Sequence, residues 1–369
     1  MSKILKSPSK YVQGPGVLRE FDQYLQGMDK TLFIIISQSG TKRICPILDV
    51  CFAGKDYTLH YEIFKGECSQ NQIDRLVSAC KEQGCTAVIG IGGGKILDTA
   101  KGVAHYANLP VVVVPTVAST DSPCSSLSVI YHDNGEFERY LFLNRCPDIV
   151  LADTEIIAKA PVSLLVAGMG DAMATWFEAR ACRASGKDNQ VQAKPTRAAT
   201  GLAFMCWDLL QRSGASAKEA VERGACTEDV ETIVEVNTYL SSVGFESGGL
   251  GAAHAIQKGF TFIPQLHKLY HGFKVAFCTL TQLVMERAEE LEDVLAFCCA
   301  VGLPVCFADM GYTEMDHEKL RLAAEKACVS GSTIHNMPFP VTADMVYEAL
   351  LKADSLVAAY RRHTEKAAQ

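Results

Sequence analysis

Over residues 30–155 the apolar positions fall in short, β-branched runs, and stretches of helical periodicity separate them. Thr31–Ser37 (TLFIIIS) is an unbroken apolar run that predicts a buried strand, and Leu59–Phe64 predicts a second. Asn71–Glu82 repeats at helical spacing, and Thr86–Ile91 (TAVIGI) reads as a further strand. A glycine turn follows, then a helix from about Lys95 to Tyr106. Val111–Pro115 is too short for a helix and predicts another strand. Alternation of this kind predicts a mostly parallel sheet covered on both faces. Leu127–Asp133 and Glu138–Leu143, separated by a loop with Asn134-Gly135, predict a β-hairpin inserted in that layer.

Beyond Pro161 strand signals nearly vanish. Amphipathic stretches cover 162–183, 196–213, 216–223, 228–243, 273–290, 291–301, 317–330 and 342–360. Proline commonly occupies the first turn of a helix, so the boundary is expected near Ala160-Pro161. The chain of 369 residues then divides into an α/β domain over 1–160 and an all-α domain over 161–369. No internal repeat or low-complexity segment interrupts either half.

Composition narrows the function. Hydrophobic residues make up 48% and charged residues 21%, which is globular rather than disordered. A net charge of −7 without a polybasic run argues against a nucleic-acid partner. No apolar stretch reaches the length of a membrane span, and the opening residues lack a signal-peptide pattern, so a cytoplasmic protein is expected. Fifteen cysteines are scattered, with no C-x-x-C pair. They read as reduced core thiols, and a thiolate zinc site has no support.

The turn Ile89-Gly90-Ile91-Gly92-Gly93-Gly94-Lys95 joins a buried strand to a helix. Glycines there permit positive φ and remove side chains, so a phosphate can approach the amides of the helix start. Lys95 adds charge, and Asp98 lies one turn on, placed to accept a hydrogen bond from a cofactor. The pattern is neither G-x-G-x-x-G nor a P-loop, and a tight connection without ligand is the lesser reading beside phosphate binding. The next strand leaves as Pro115-Thr116-Val117-Ala118-Ser119-Thr120-Asp121, hydroxyl-rich and ending in a carboxylate. Ligands of parallel sheets sit at the carboxyl ends of strands, and two such ends side by side suit a dinucleotide.

In the helical half, His267-x-x-x-His271 puts two imidazoles on one helical face, a metal-binding spacing. His254 lies in a small-residue segment, and Asp171 lies at an apolar helix start, where a carboxylate also serves as a cap. Spacing alone does not choose among Asp171, His254, His267 and His271. Three N/O ligands with one open position is the pattern of a catalytic Zn²⁺ or Fe²⁺ site.

The runs Gly92–Lys101, Pro115–Tyr131, Leu164–Cys182, Val243–Ile256, Tyr270–Leu283 and Thr333–Pro338 together resemble the glycerol dehydrogenases of the iron-containing (group III) alcohol dehydrogenase family. The resemblance implies a Rossmann-like dinucleotide-binding domain followed by an all-α metal-binding domain, the architecture of dehydroquinate synthase. It implies metal ligands at Asp171, His254 and His271, with His267 a neighbour. Iron-dependent relatives carry a further histidine where this chain has Thr175, so zinc is favoured over iron. Cofactor contacts are implied at Ser37, Gly92, Gly93, Gly94, Lys95, Asp98, Thr116, Ser119, Ser125, Leu127 and Tyr131. Asp121 matches a carboxylate that binds the polyol. The implied reaction is reversible, NAD-dependent oxidation of glycerol to dihydroxyacetone, extending to 1,2-propanediol, in a homo-oligomer, an octamer.

Departures from the family pattern keep alternatives open. Relatives carry an acidic residue where this chain has Ser37, which Lys42-Arg43 follow; a missing carboxylate admits NADP beside NAD. Phe273 and Cys278 replace a Glu and a Gly after the ligand histidine, and Gln257-Lys258 replaces a common His-Asn. A 2-hydroxy-acid or hydroxyketone oxidoreductase, a dehydroquinate-synthase-type lyase and a decayed paralogue are the competing functions.

Overall fold

In the computed structural model, which describes residues 2–367, the apolar runs of the first half become parallel strands. They are β1 (Lys10–Gly14), β2 (Thr31–Ser37), β3 (Thr58–Phe64), β4 (Ala87–Gly92), β5 (Val111–Pro115) and, after the antiparallel hairpin of β6 (Leu127–Tyr131) and β7 (Phe137–Phe142), β8 (Ile149–Asp153). The six-stranded sheet has the order β1-β8-β5-β4-β2-β3, parallel throughout. Helices α1 (Phe21–Tyr24), α2 (Gln38–Phe52), α3 (Gln70–Glu82), α4 (Gly94–Ala107) and α5 (Thr154–Ala158) complete this layer.

The twofold alternation along each strand sorts side chains into two cores. Phe33, Ile35, Val88, Val111 and Val113 pack with Leu76 and Cys80 of α3 and Leu97 and Val103 of α4. Leu32, Ile34, Ile36, Ile89, Ile91 and Val114 pack on the other face with Phe21 and with Ile44, Leu48 and Phe52 of α2. Each fully buried aliphatic side chain contributes about 1.5–3 kcal/mol, which is why both faces are covered. Helix α2 lies in a stretch for which the sequence pattern predicts none. Pro46 sits inside it, and Ser37 caps it by accepting a hydrogen bond from Gly40 N at 3.0 Å.

The α/β unit comprises Lys6–Leu165 together with Glu219–Ser242. That second segment departs from the expected division at residue 160. It holds α8 (Glu228–Glu235), which follows α6 (Val162–Ser185) and α7 (Arg197–Glu222) in the chain. Polar side chains fasten the segment: Gln13 Nε2 donates to Glu231 O at 2.9 Å, and buried Asn237 Nδ2 donates to Ala118 O at 2.9 Å and Leu165 O at 3.1 Å.

The other unit takes Val166–Lys218, the chain from Val243 onward and the first few residues. Its further helices are α9 (Ser241–Gly248), α10 (Ala252–Gly259), α11 (His271–Glu286), α12 (Leu291–Val301), α13 (His317–Ala327) and α14 (Ala343–Ala367). Two predicted helices merge into α7 because Gly214 does not break it; a Cβ there would stand 2.7 Å from Phe297, so the glycine serves close packing. The predicted helix over 228–243 is instead α8, a π-helical turn at Val236–Leu240 and the start of α9. Among the described residues no helix is long and apolar enough to cross a membrane.

Candidate functional site

Asp171 sits mid-way along α6, not at its start, so it is no helix cap. His254 occupies the first turn of α10, and His271 is the first residue of α11. The Nε2 atoms of both histidines lie 3.3 Å from the same oxygen, Asp171 Oδ1. Among the described residues these three form the one group whose donor atoms all lie within 4.8 Å of one another. Two imidazole nitrogens and a carboxylate oxygen suit a divalent zinc or iron ion. Thr175, one turn after Asp171, is fully buried, and its Cγ2 is 2.6 Å from where a Cβ on Gly244 would stand.

Backbone contact brings two of these three side chains, Asp171 and His271, together. A Cβ on Gly170 would lie 2.4 Å from Gly272 O, and one on Gly272 would lie 1.7 Å from Ala167 O. Only glycines let α6 touch the start of α11 so closely. Burial opposes ionisation of Asp171, yet the charges and hydrogen bonds of His271 and His254 outweigh it and hold the carboxyl well below the usual carboxylate range. Burial alone would lower the His254 pKa, but Glu178 and Asp171 raise it well above the usual histidine value.

The expectation that His267 and His271 share a helical face fails. Tyr270 has extended ψ of 146° and α11 begins only after it. His267 lies in a preceding turn, exposed, with Nε2 2.8 Å from Thr261 O. Sequence reasoning also passed over Glu178 and Gln282. Glu178 is fully buried, and one of its oxygens lies 2.5 Å from His254 Nδ1. Its signal was its position seven residues after Asp171, two helical turns along the same face.

In the α/β unit, the carboxyl ends of β2, β4 and β5 lie side by side: Ile36 pairs with Ile91, and Gly92 with Pro115. The connections after β2 and β4 lead to opposite faces, so the crevice between these two strand ends is where a doubly wound sheet binds ligands. Gly93 is the N-cap of α4 and offers no side chain to its amides. Contrary to expectation, none of Gly90, Gly92, Gly93 and Gly94 has positive φ. Gly90 is required by packing, since a Cβ there would stand 2.5 Å from Ala100 Cβ, while one on Gly92 would press on the movable Ile96 Cδ1 at 2.6 Å. Gly93 and Gly94 would meet only ordinary contacts at 3.4 and 3.5 Å, so packing alone does not demand their bareness.

Thr116 is buried, with its amide donating to Gly92 O at 3.0 Å, and Ser119 and Asp121 follow half-buried. Ser242 Oγ donates to Asp121 O. Lys95 is exposed and pairs with Glu67 at 2.6 Å, a solvated contact that a phosphate can displace at little cost. Asp98 is buried; its carboxylate meets Lys101 Nζ at 2.9 Å and accepts from Val129 N at 2.9 Å. Lys101, which sequence reasoning passed over, also donates to Ser122 O at 2.9 Å and to Leu127 O, tying the β5–β6 loop to α4. Ser125 is buried against this lysine, while Leu127 and Tyr131 are half-buried on β6. Burial raises the Tyr131 pKa, so its hydroxyl stays protonated.

The family model of the iron-containing alcohol dehydrogenases matches residues 8–154. The chain is 49% identical to a glycerol dehydrogenase of Citrobacter freundii, covering 96% of this chain and 98% of that one. It is 42% identical to a glycolaldehyde reductase of Halobacterium salinarum, again over 96% and 98%. The chain belongs to the iron-containing alcohol dehydrogenase family. It is an alcohol oxidoreductase, with the α/β and helical parts that family membership implies. The crystal structure of glycerol dehydrogenase from Schizosaccharomyces pombe superposes with a TM-score of 0.94 at 34% identity, covering 99% of this chain and 93% of that one.

Proposed function

We propose that the chain oxidises glycerol reversibly to dihydroxyacetone, with NAD as hydride acceptor and a zinc ion held by Asp171, His254 and His271. The observation that carries this reading is the convergence of the two imidazoles on one oxygen of Asp171, 3.3 Å from each. Near-complete coverage of a glycerol dehydrogenase relative supports the substrate. A zinc ion there supplies Lewis-acid activation, lowering the pKa of a substrate hydroxyl.

The chain's own residues do the rest. Bare amides at Gly93, Gly94 and Lys95 bind the dinucleotide pyrophosphate, with Lys95 exchanging Glu67 for a phosphate oxygen. Thr116, Ser119, Ser125, Leu127 and Tyr131 orient the ribose and nicotinamide, and the Asp98–Lys101 pair sets the shape of that loop. Asp121 accepts a hydrogen bond from a second substrate hydroxyl, which favours vicinal diols such as 1,2-propanediol. A nicotinamide held there would accept the hydride from the alcohol carbon, with the hydroxyl proton leaving to solvent. The resemblance further supports a cytoplasmic homo-oligomer, an octamer.

One observation favours NADP as a second reading. The Ser37 hydroxyl is engaged in capping α2, the residues that follow it, Gln38 and Ser39, are not acidic, and Lys42 and Arg43 are exposed on that helix. Absorbance of reduced nicotinamide separates the readings, with chelator-stripped protein, glycerol, zinc add-back, and NAD or NADP in parallel. Zinc-dependent reduction of NAD is expected. Reduction of NADP alone moves the cofactor, and reduction only with a 2-hydroxy acid moves the substrate. No reduction with any diol, zinc or iron overturns the proposal.

A further inference from the structure

The N-terminus of α10 has no capping side chain of its own, because Gly251 occupies the cap position. Its first amides lie buried, and each would cost about 1–3 kcal/mol if left without an acceptor. Two side chains from other helices meet them. Gln282 of α11 accepts from Ala252 N and Ala253 N, both at 3.0 Å. Glu178 of α6 accepts from Gly251 N at 3.0 Å and His254 N at 2.9 Å through one oxygen. Its other oxygen lies 2.5 Å from His254 Nδ1, and that contact has no part in capping. A carboxylate accepts only, so Glu178 keeps a proton on Nδ1, and Nε2, the nitrogen 3.3 Å from Asp171 Oδ1, is the one that can give up its proton to a cation.

We infer that Glu178 is a positioning residue of the metal centre: it fixes the register of α10 and holds His254 in the tautomer whose Nε2 binds a divalent cation. The inference rests on the metal reading above and deepens it. Charge supports the same assignment. Asp171 and Glu178 are both fully buried, and a divalent cation offsets their two negative charges. Gln282 shares the capping duty but makes no hydrogen bond to the His254 ring, so it separates the two roles.

The test is zinc affinity, measured by competition with a chromogenic chelator, and the visible spectrum of the cobalt-substituted protein. In Glu178→Gln the amide must present NH₂ either to Nδ1, reversing the tautomer, or to the backbone amides, donor against donor. Zinc binding is expected to weaken by about 10–100-fold, with a shifted cobalt spectrum. Glu178→Asp keeps the charge on a shorter arm and should fall between. Gln282→Met should lower Tm yet hold zinc within about threefold of the parent protein. Affinity for Glu178→Gln within about twofold of the parent, or equal weakening in Gln282→Met, overturns the inference. Should Glu178→Gln fail to fold, a parent-like affinity and spectrum in Glu178→Asp overturns it as well. A parent protein that takes up no stoichiometric zinc or cobalt instead overturns the metal reading itself.

Discussion

The glycine turn of the α/β unit and the Asp171–His254–His271 cluster of the helical unit are built in opposite ways. The turn presents backbone, with Gly93 and Gly94 bare at the start of α4, and side chains work beneath it, chiefly Lys101 holding the β5–β6 loop. The cluster presents side chains, with backbone beneath: Gly170 and Gly272 bring α6 against α11. The first comes from one stretch of about forty residues, 92–131, around two strand ends. The second joins residues a hundred positions apart, 171 and 271, through three helices. A locally built site should be sensitive to what its surface carries, and an assembled site to the spacing of its supports.

The largest effect should come from His254→Ala. Turnover is expected to fall by at least about a thousand-fold while dinucleotide affinity, followed by fluorescence titration, stays near that of the parent. Joint loss would show that the two sites are not separable in this way. Lys101→Met should cost about 3–5 kcal/mol in denaturant unfolding, because the buried Asp98 carboxylate loses its counter-charge and two loop carbonyls lose their donor. A smaller loss would mean that the loop holds itself.

Two alanine substitutions then sharpen the contrast. Gly272→Ala should destabilise by about 1–3 kcal/mol and weaken metal binding with it, since its Cβ would stand 1.7 Å from a carbonyl oxygen. Gly94→Ala should leave stability within about 1 kcal/mol of the parent and yet weaken dinucleotide binding. Equal stability losses would remove the distinction between a glycine kept for packing and one kept for a ligand.

The smallest effect concerns the thiols. Cys226 and Cys299 are exposed and should react with a thiol reagent in the native state before the others, with most of those waiting for unfolding. Burial pushes the Cys182 thiol up to about 11, and Cys68 and Cys80 up to about 12, from an ordinary value of 9.0. These folded-state values lie above that of an unfolded chain. The unfolded form therefore binds fewer protons between them, and stability falls as pH climbs from about 9 toward 12. Thermal unfolding at pH 8 and pH 10.5 checks the sign.

Most of the α/β layer was legible because its signals are local. Val111–Pro115 and Thr31–Ser37 can be little else than buried strands, and the structure returns both with the same bounds. Helix α2 was hidden by Pro46, and α10 by its brevity and by the glycines before it. Asp171, His254 and His271 were visible as types, but their spacing left them level with His267. The extended backbone of Tyr270 removes His267 from the helical face that its spacing implied.

The sequence by itself determined the strand-turn-helix order, the hydroxyl-rich segment after β5 and the residues that resemble the family's ligands, since each is written in contiguous residues. Only the tertiary structure decided that 219–242 belong with the sheet, that Gly90 serves packing while Gly94 stays open, and that Glu178 meets His254 and Lys101 meets the β5–β6 loop. Those facts depend on which buried donors and acceptors meet across elements distant in sequence. A buried polar group must find its partner wherever the fold brings one.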